Sequence, residues 1–198
     1  MQQLTLFSNT VSRRNHPHKR ARKSSRETPA SARWDLWNQE TESEKEMALF
    51  FLDIRNFTPL VEKHQAPDVI HIAKKLFSTF QNIIRIHRGR IIETSGDGFY
   101  AAFGLDRDVK DAVNAAVFAG MAILETLEDL NERSFEKNLG QRIEVGIGVH
   151  VGKVATGNLH LGAHDHFVVM GYAVNVASRL QAATKELNNN FIISSAVY

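Results

Sequence analysis

Two aspartates stand where chemistry could be done. Asp53 closes a continuous apolar run over residues 47–52, and Asp97 sits in the turn sequence Ser95-Gly96-Asp97-Gly98 between two short apolar stretches. Brought to one sheet edge, the pair forms a site for a hard cation such as Mg²⁺ or Mn²⁺. Such an ion takes one or two carboxylates and completes its shell with water and substrate phosphates. Two such ions can activate an attacking oxygen and stabilise a leaving one. The segment after Asp53, through Ile54, Phe57 and Thr58, leads into a helix start whose free N–H groups suit a triphosphate. Taken singly, each aspartate has a plainer reading: Asp53 caps a turn, and Asp97 shapes an Asp-Gly hairpin. His160, His164, Asp165 and His166 also cluster, but in a polar hairpin where they read as solvated side chains rather than a transition-metal site. His150 reads as a packing or surface residue.

The elements that must position the aspartates follow from periodicity. Residues 47–52 predict a strand buried on both faces. Thr58 followed by Pro59 predicts a helix start with Thr58 as its cap. Apolar positions 72, 73, 76, 77, 80, 83 and 84 keep helical spacing and close near Gly89. Residues 90–94 and 99–103 predict a hairpin around the Asp97 turn. Val113, Ala116, Val117, Gly120, Ile123, Leu124 and Leu127 mark a long amphipathic helix. Ile143, Val145, Ile147, Val149 and Val151 alternate with polar residues and glycines as in a half-buried strand. Residues 172–187 return to helical spacing, and 191–193 predict a last short strand. The order is β-α-β-β-α-β and then α-β. This is the split pattern of an α+β, ferredoxin-like sheet with helices on one face, extended by a further α-β. In that topology the second hairpin strand runs antiparallel to the first strand of the domain. The hairpin tip, with Asp97, then lies beside Asp53, and the cation reading gains over the two plainer ones.

Composition bounds the rest. The chain has 198 residues, 43% hydrophobic and 23% charged, which suits one domain plus a tail. The absence of cysteine excludes disulfide scaffolds, cysteine-ligated metals and thiol catalysis. No apolar run nears the ~18 residues of a membrane helix, and the start lacks a signal-peptide core, so the chain reads as cytoplasmic with no integral membrane segment. The net charge of +2 hides an asymmetry: residues 11–33 carry eight Lys/Arg and one acid, and the remainder sixteen Lys/Arg against twenty-one acids. Residues 1–45 are expected to be a basic, disordered tail or linker, and residues 46–198 the folded domain. With the domain mildly acidic, nucleic acid is not the expected partner.

Three segments resemble the signatures of class III nucleotide cyclases, the adenylyl and guanylyl cyclases: Phe51-Leu52-Asp53-Ile54-Arg55-Asn56-Phe57-Thr58, Thr94-Ser95-Gly96-Asp97-Gly98-Phe99, and Gly171-Tyr172-Ala173-Val174-Asn175-Val176-Ala177-Ser178-Arg179-Leu180. Residues 146–152 and Thr156-Gly157-Asn158 also resemble the family's central strand and the turn after it. The resemblance runs from about residue 46 to the end, with family-like order and spacing.

The resemblance implies a purine nucleotide cyclase that turns GTP or ATP into the 3′,5′-cyclic monophosphate and pyrophosphate, as a homodimer with shared active sites. Asp53, Ile54 and Asp97 of one protomer would hold two Mg²⁺ or Mn²⁺ ions, with Phe57 and Thr58 beside the phosphates. Asn175 and Arg179 would come from the other protomer, to orient the ribose and stabilise charge on the α-phosphate. At 100° per residue these two side chains are only about 40° apart around their helix. Their common direction lies roughly 115° from the middle of its apolar stripe, so both can face a partner. The family's base-reading positions fall on Glu93 and Val168. A carboxylate can accept both donors on guanine's edge and would repel the acceptor of adenine, so Glu93 favours GTP. Val168 makes no hydrogen bond, a departure from the family. The chain also stops at Tyr198, before the further strands such domains carry, so a C-terminally shortened domain is expected. The other reading is a cyclase-like module that binds nucleotide or a partner without turnover.

Overall fold

The computed structural model describes residues 43–161 and 164–198; the tail expected over residues 1–45 lies almost wholly outside them. β1 (Ser43–Ile54) is the centre of the fold. Its alternate residues face opposite ways, Ala48, Phe50, Leu52 and Ile54 into one core and Met47 and Leu49 into another, which is why the sequence is apolar without interruption. A strand flanked on both faces has no polar side to alternate with. Pairing begins at Ser43, opposite Thr156, so the strand starts four residues before the apolar run.

Helix α1 (Phe57–Lys63) follows directly. Its cap is Asn56, in the left-handed conformation at φ 53°, and not Thr58. Asparagine tolerates that conformation because its short amide can bond locally, and β1 hands the chain over two residues earlier than the Thr-Pro signal implies. Helix α2 (Ala66–Ile86) then crosses the sheet, burying Val69, Ile72, Leu76, Phe80 and Ile84. Its exit is unusual. Arg88 takes the left-handed turn (φ 58°), while Gly89 serves close packing: a Cβ there would stand 2.5 Å from the Phe103 ring.

β2 (Arg90–Ser95) and β3 (Gly98–Phe103) form the expected hairpin, with β3 antiparallel to β1. Helix α3 (Val109–Leu130) starts at Asp108, whose carboxylate accepts the Asp111 N–H at 2.9 Å. It runs on through a π-helical turn, Asn131–Phe135, into the short α4 (Glu136–Leu139). Buried Asn131 exchanges two hydrogen bonds with the backbone of Ile143 and so anchors the approach to the next strand.

β4 (Val145–Leu161) is longer than the alternation suggested. Residues 156–158 are not a turn; they continue the strand and pair with β5 (His164–Met170), where the sequence suggests a polar hairpin. Gly157 there reads locally as a turn, but seven consecutive pairings with β5 hold the chain extended. Helix α5 (Tyr172–Glu186) and β6 (Phe191–Ile193) complete the domain, β6 lying parallel to β4. The sheet order is β2-β3-β1-β4-β5, with β6 beside the first part of β4.

The architecture is α+β, and α2 and α3 cover one face, as expected for the split core. The appended α5 lies on the other. Gly146, Gly148 and Gly152 form a bare strip along β4, and α5 rests on it so closely that a Cβ on Gly148 would stand 2.3 Å from the Gln181 backbone nitrogen. The rest of that second face carries Phe51 stacked on Tyr100 (centroids 4.9 Å apart, rings 9° from parallel), with Ile92, Phe167 and Val174 half-buried around them.

Candidate active site

Asp53 and Asp97 meet because β1 and the β2–β3 hairpin end together. Asp53 pairs with Gly98, and the Ile54 N–H donates to the Asp97 carbonyl at 3.0 Å, which clamps the hairpin tip to the end of β1. Gly98 is required here. A Cβ on it would lie 2.6 Å from the Leu52 carbonyl and 2.9 Å from Asp53 Oδ1, the space through which Asp53 reaches the tip. Asp53 is pushed up to about 6, first by burial and then by the charge and hydrogen bonding of the Asp97 carboxyl group beside it.

They stand in a cleft of about 440 Å³, lined also by Phe51, Glu93, Ser95 and Gln181. The donor set fits a hard divalent cation: a carboxylate pair in which Asp53, for want of positive charge, holds its proton up to about pH 6. Among the described residues no third His, Cys, Asp or Glu completes a metal cluster, which leaves ligand positions for water and phosphate.

Ile54 is buried, so only its backbone can take part. Phe57 packs against the core and Thr58 is exposed; neither side chain lines the cleft. Glu93, exposed on β2, also lines a second cleft of about 490 Å³ with Arg90, Tyr100, Phe167 and Val168. The sheet coils enough for the Tyr100 hydroxyl to donate to the Val169 carbonyl on β5 at 3.0 Å, and for the Arg90 guanidinium to sit 4.2 Å over the Phe167 ring. Burial and then the Glu93 charge hold the Tyr100 phenol above its ordinary value. Val168 is thus beside Glu93, in the space adjoining the aspartates.

Asn175 and Arg179 are exposed on α5 and line neither cleft. One chain therefore brings the aspartates together, and Glu93 with Val168, but not the helix pair with the aspartates. His150 bonds the Ser194 hydroxyl at 2.7 Å and is held below its ordinary value by burial, which suits a packing role. Sequence reasoning missed Gln181, Tyr100 and Arg55. Gln181 lies two residues beyond Arg179, yet only the glycine strip that lets α5 approach brings it to the cleft.

With this geometry in place, the relationship to known proteins is clear. Residues 39–198 match the family described as adenylate and guanylate cyclase catalytic domain. Adenylate cyclase 1 of Rhizobium meliloti is 29% identical over 154 residues, 77% of this chain and 23% of its own length. The receptor-type guanylate cyclase gcy-6 of Caenorhabditis elegans is 31% identical over 139 residues, 70% of this chain and 12% of its own. The adenylyl cyclase CyaB from P. aeruginosa superposes with a TM-score of 0.73 at 25% identity, covering 80% of this chain and 81% of that one. The chain belongs to the adenylate and guanylate cyclase catalytic domain family. It spans about a quarter of the length of the first curated relatives it matches.

Proposed function

We propose that this domain is a purine nucleotide cyclase acting as a homodimer, with two Mg²⁺ or Mn²⁺ ions at Asp53 and Asp97 and a preference for GTP. The observation that carries the reading is the convergence of the two carboxylates at one sheet edge, in a cleft open to a nucleotide, while Asn175 and Arg179 point outward. In a head-to-tail pair of chains, each cleft receives the helix pair of its partner. Exposed Met170 and Tyr172 beside that pair, and the half-covered Phe51–Tyr100 face, support a partner's seat there.

Bound divalent cations would supply Lewis-acid polarisation of the phosphates and acidify the attacking hydroxyl. Asp53 and Asp97 hold them, and the backbone of Ile54 stays fixed by its bond to the Asp97 carbonyl. The first turn of α1, at Phe57 and Thr58, offers main-chain N–H groups to the phosphates. Asn175 orients the ribose so that its 3′ oxygen stands in line with the α-phosphorus. That oxygen forms the new bond to phosphorus and its proton passes to solvent. The bond from the α-phosphorus to the bridging oxygen breaks, and pyrophosphate leaves with the electron pair. Arg179 neutralises the charge that grows on the α-phosphate oxygens. Glu93 accepts the donors of guanine, and Val168 adds only contact.

The same reading makes the basic residues before 39 a tail outside the catalytic domain, shorter than the 1–45 expected because β1 already begins at Ser43, and it expects a cytoplasmic protein. Among the described residues no helix is long and apolar enough to cross a membrane. The test is direct: purified protein with GTP or ATP and Mn²⁺ should yield the cyclic monophosphate and pyrophosphate, identified by mass. Nucleotide binding without product would favour the non-catalytic module.

A further inference from the structure

Arg55 follows the cation loop, yet its side chain turns away from the cleft, is only 13% exposed, and ends on the far end of α5. Its Nη2 donates to the Thr184 carbonyl at 2.8 Å and to the Asn189 carbonyl at 2.9 Å, and its Nη1 lies 3.7 Å from the Glu144 carboxylate. Its backbone N–H donates to the Glu144 carbonyl at 2.8 Å. Thr184 is in the last turn of α5, where carbonyls have no partner within the helix and the dipole favours a cation. The same carbonyl accepts the Asn189 N–H at 3.0 Å, so the guanidinium and the helix-terminating loop close on one point. The Nε donor is buried without a hydrogen-bond partner among the described residues, a local penalty borne by an arginine aimed at two carbonyls. Lysine, with a single ammonium, could not also present the second nitrogen that faces Glu144.

The other end of the lever is α5 itself. Its contact with Gly146, Gly148 and Gly152 leaves no room for even a Cβ between helix and strand. Hydrogen-bonded along its length, α5 carries a shift at Thr184 to Arg179 and Asn175, about one and a half and two and a half turns away. We propose that Arg55 is a positioning residue that couples the two half-sites of the dimer, tying the cation loop of one site to the helix that delivers Asn175 and Arg179 to the other. The coupling rests on the shared-site reading above. It follows because, in a head-to-tail pair, the aspartates and the helix pair of one chain serve different nucleotides.

Heterodimers test it. Pairing an Asp53→Ala subunit with an Arg179→Ala subunit leaves one working site, which takes its aspartates from the second and its Asn/Arg helix from the first. Arg55→Gln is then placed in either subunit. In the Asp53→Ala subunit, whose cation loop serves no working site, it should lower kcat about tenfold or more with KM changed less than about threefold, since small displacements of catalytic groups have effects of that order. Arg55→Lys at the same place should recover part of the loss. An unchanged kcat for that placement overturns the proposal, whether or not the other placement is harmful. Independently of turnover, and with neither metal nor nucleotide, Arg55→Gln should speed hydrogen exchange at the amides of Leu187 and Asn189 while those of β1 and β4 keep their protection. Unaltered exchange at those two amides would remove the strut. An inactive parent heterodimer, with subunit exchange confirmed, would instead refute the shared site and the coupling with it, and the exchange data would still say whether Arg55 holds α5.

Discussion

At the scale of single residues, the site is a like-charge pair held together by the backbone. Asp53 has an ordinary value of 3.8 and a folded value of about 6, so between those pH values the folded state keeps a proton that the unfolded chain has released. The stability this proton contributes is complete below about pH 4 and lost as pH rises through 6. In EDTA, Asp53→Asn should thus be more stable than the parent by about 1 kcal/mol at neutral pH, allowing for solvent screening of a half-buried pair, and the difference should vanish near pH 4. Urea unfolding of both proteins across that range reads it. The same variant should lose Mn²⁺-dependent turnover, a trade of stability for function at the cation site. Glu93 makes a separate prediction. Glu93→Lys should lower kcat/KM for GTP about 10- to 100-fold, because charged hydrogen bonds to guanine are lost and an ammonium faces its N1–H. A gain with ATP should need Val168→Asp as well, to accept from the 6-amino group. Were the parent to prefer ATP, with a ratio indifferent to Glu93→Lys, residue 93 would not read the base.

At the scale of elements, β4 matters most. Val145, Ile147 and Val149 face the core under α2 and α3, while Gly146, Gly148 and Gly152 leave a track for α5. Gly148 needs no special backbone angle; the glycine is there for contact. Gly148→Ala would place a methyl 2.3 Å from the Gln181 nitrogen and 2.7 Å from the Ala177 carbonyl, both backbone atoms that cannot turn aside. Destabilisation of about 3 kcal/mol is expected, at the upper end for overpacking, with α5 displaced. Gly96→Ala meets no atom within 4 Å and strains only a turn at φ 55°, so its effect should be smaller. Thermal or urea unfolding of the two variants side by side checks the order.

At the scale of the whole molecule, the proposed dimer has one chain holding two halves of two different sites. Asn175 and Arg179 are exposed on α5, while the carboxylates stand in a cleft that neither of them lines. Turnover should fall more steeply than linearly as the protein is diluted below its dimerisation constant. Mixing inactive Asp53→Ala with inactive Arg179→Ala should restore activity, up to about a quarter of the parental level per total protein: random pairing makes half the dimers mixed, each with one of two sites working. If the mixture stays inactive despite confirmed exchange, the sites are not shared.

Local pattern was enough for much of this. The uninterrupted run before Asp53, the helical spacing of residues 69–84, the Asp-Gly hairpin and the exposed pairing of Asn175 with Arg179 were legible because each rests on periodicity or turn chemistry within a few residues. So was the meeting of Asp53 with Asp97, since the order β-α-β-β permits few arrangements of the hairpin beside the first strand. What pattern could not reach were interactions spanning long stretches of chain. Thr156, Gly157 and Asn158 read as a turn until β5 is there to pair with them. Asn56, not Thr58, caps α1, because the end of β1 fixes where the helix must begin. The glycines of β4 look like a weak strand until α5 lies across them, and Arg55 looks like a surface arginine until the end of that helix arrives, 129 residues away in sequence. Propensity and spacing are properties of neighbours along the chain. Close approach and the satisfaction of a distant carbonyl belong to the packed structure alone.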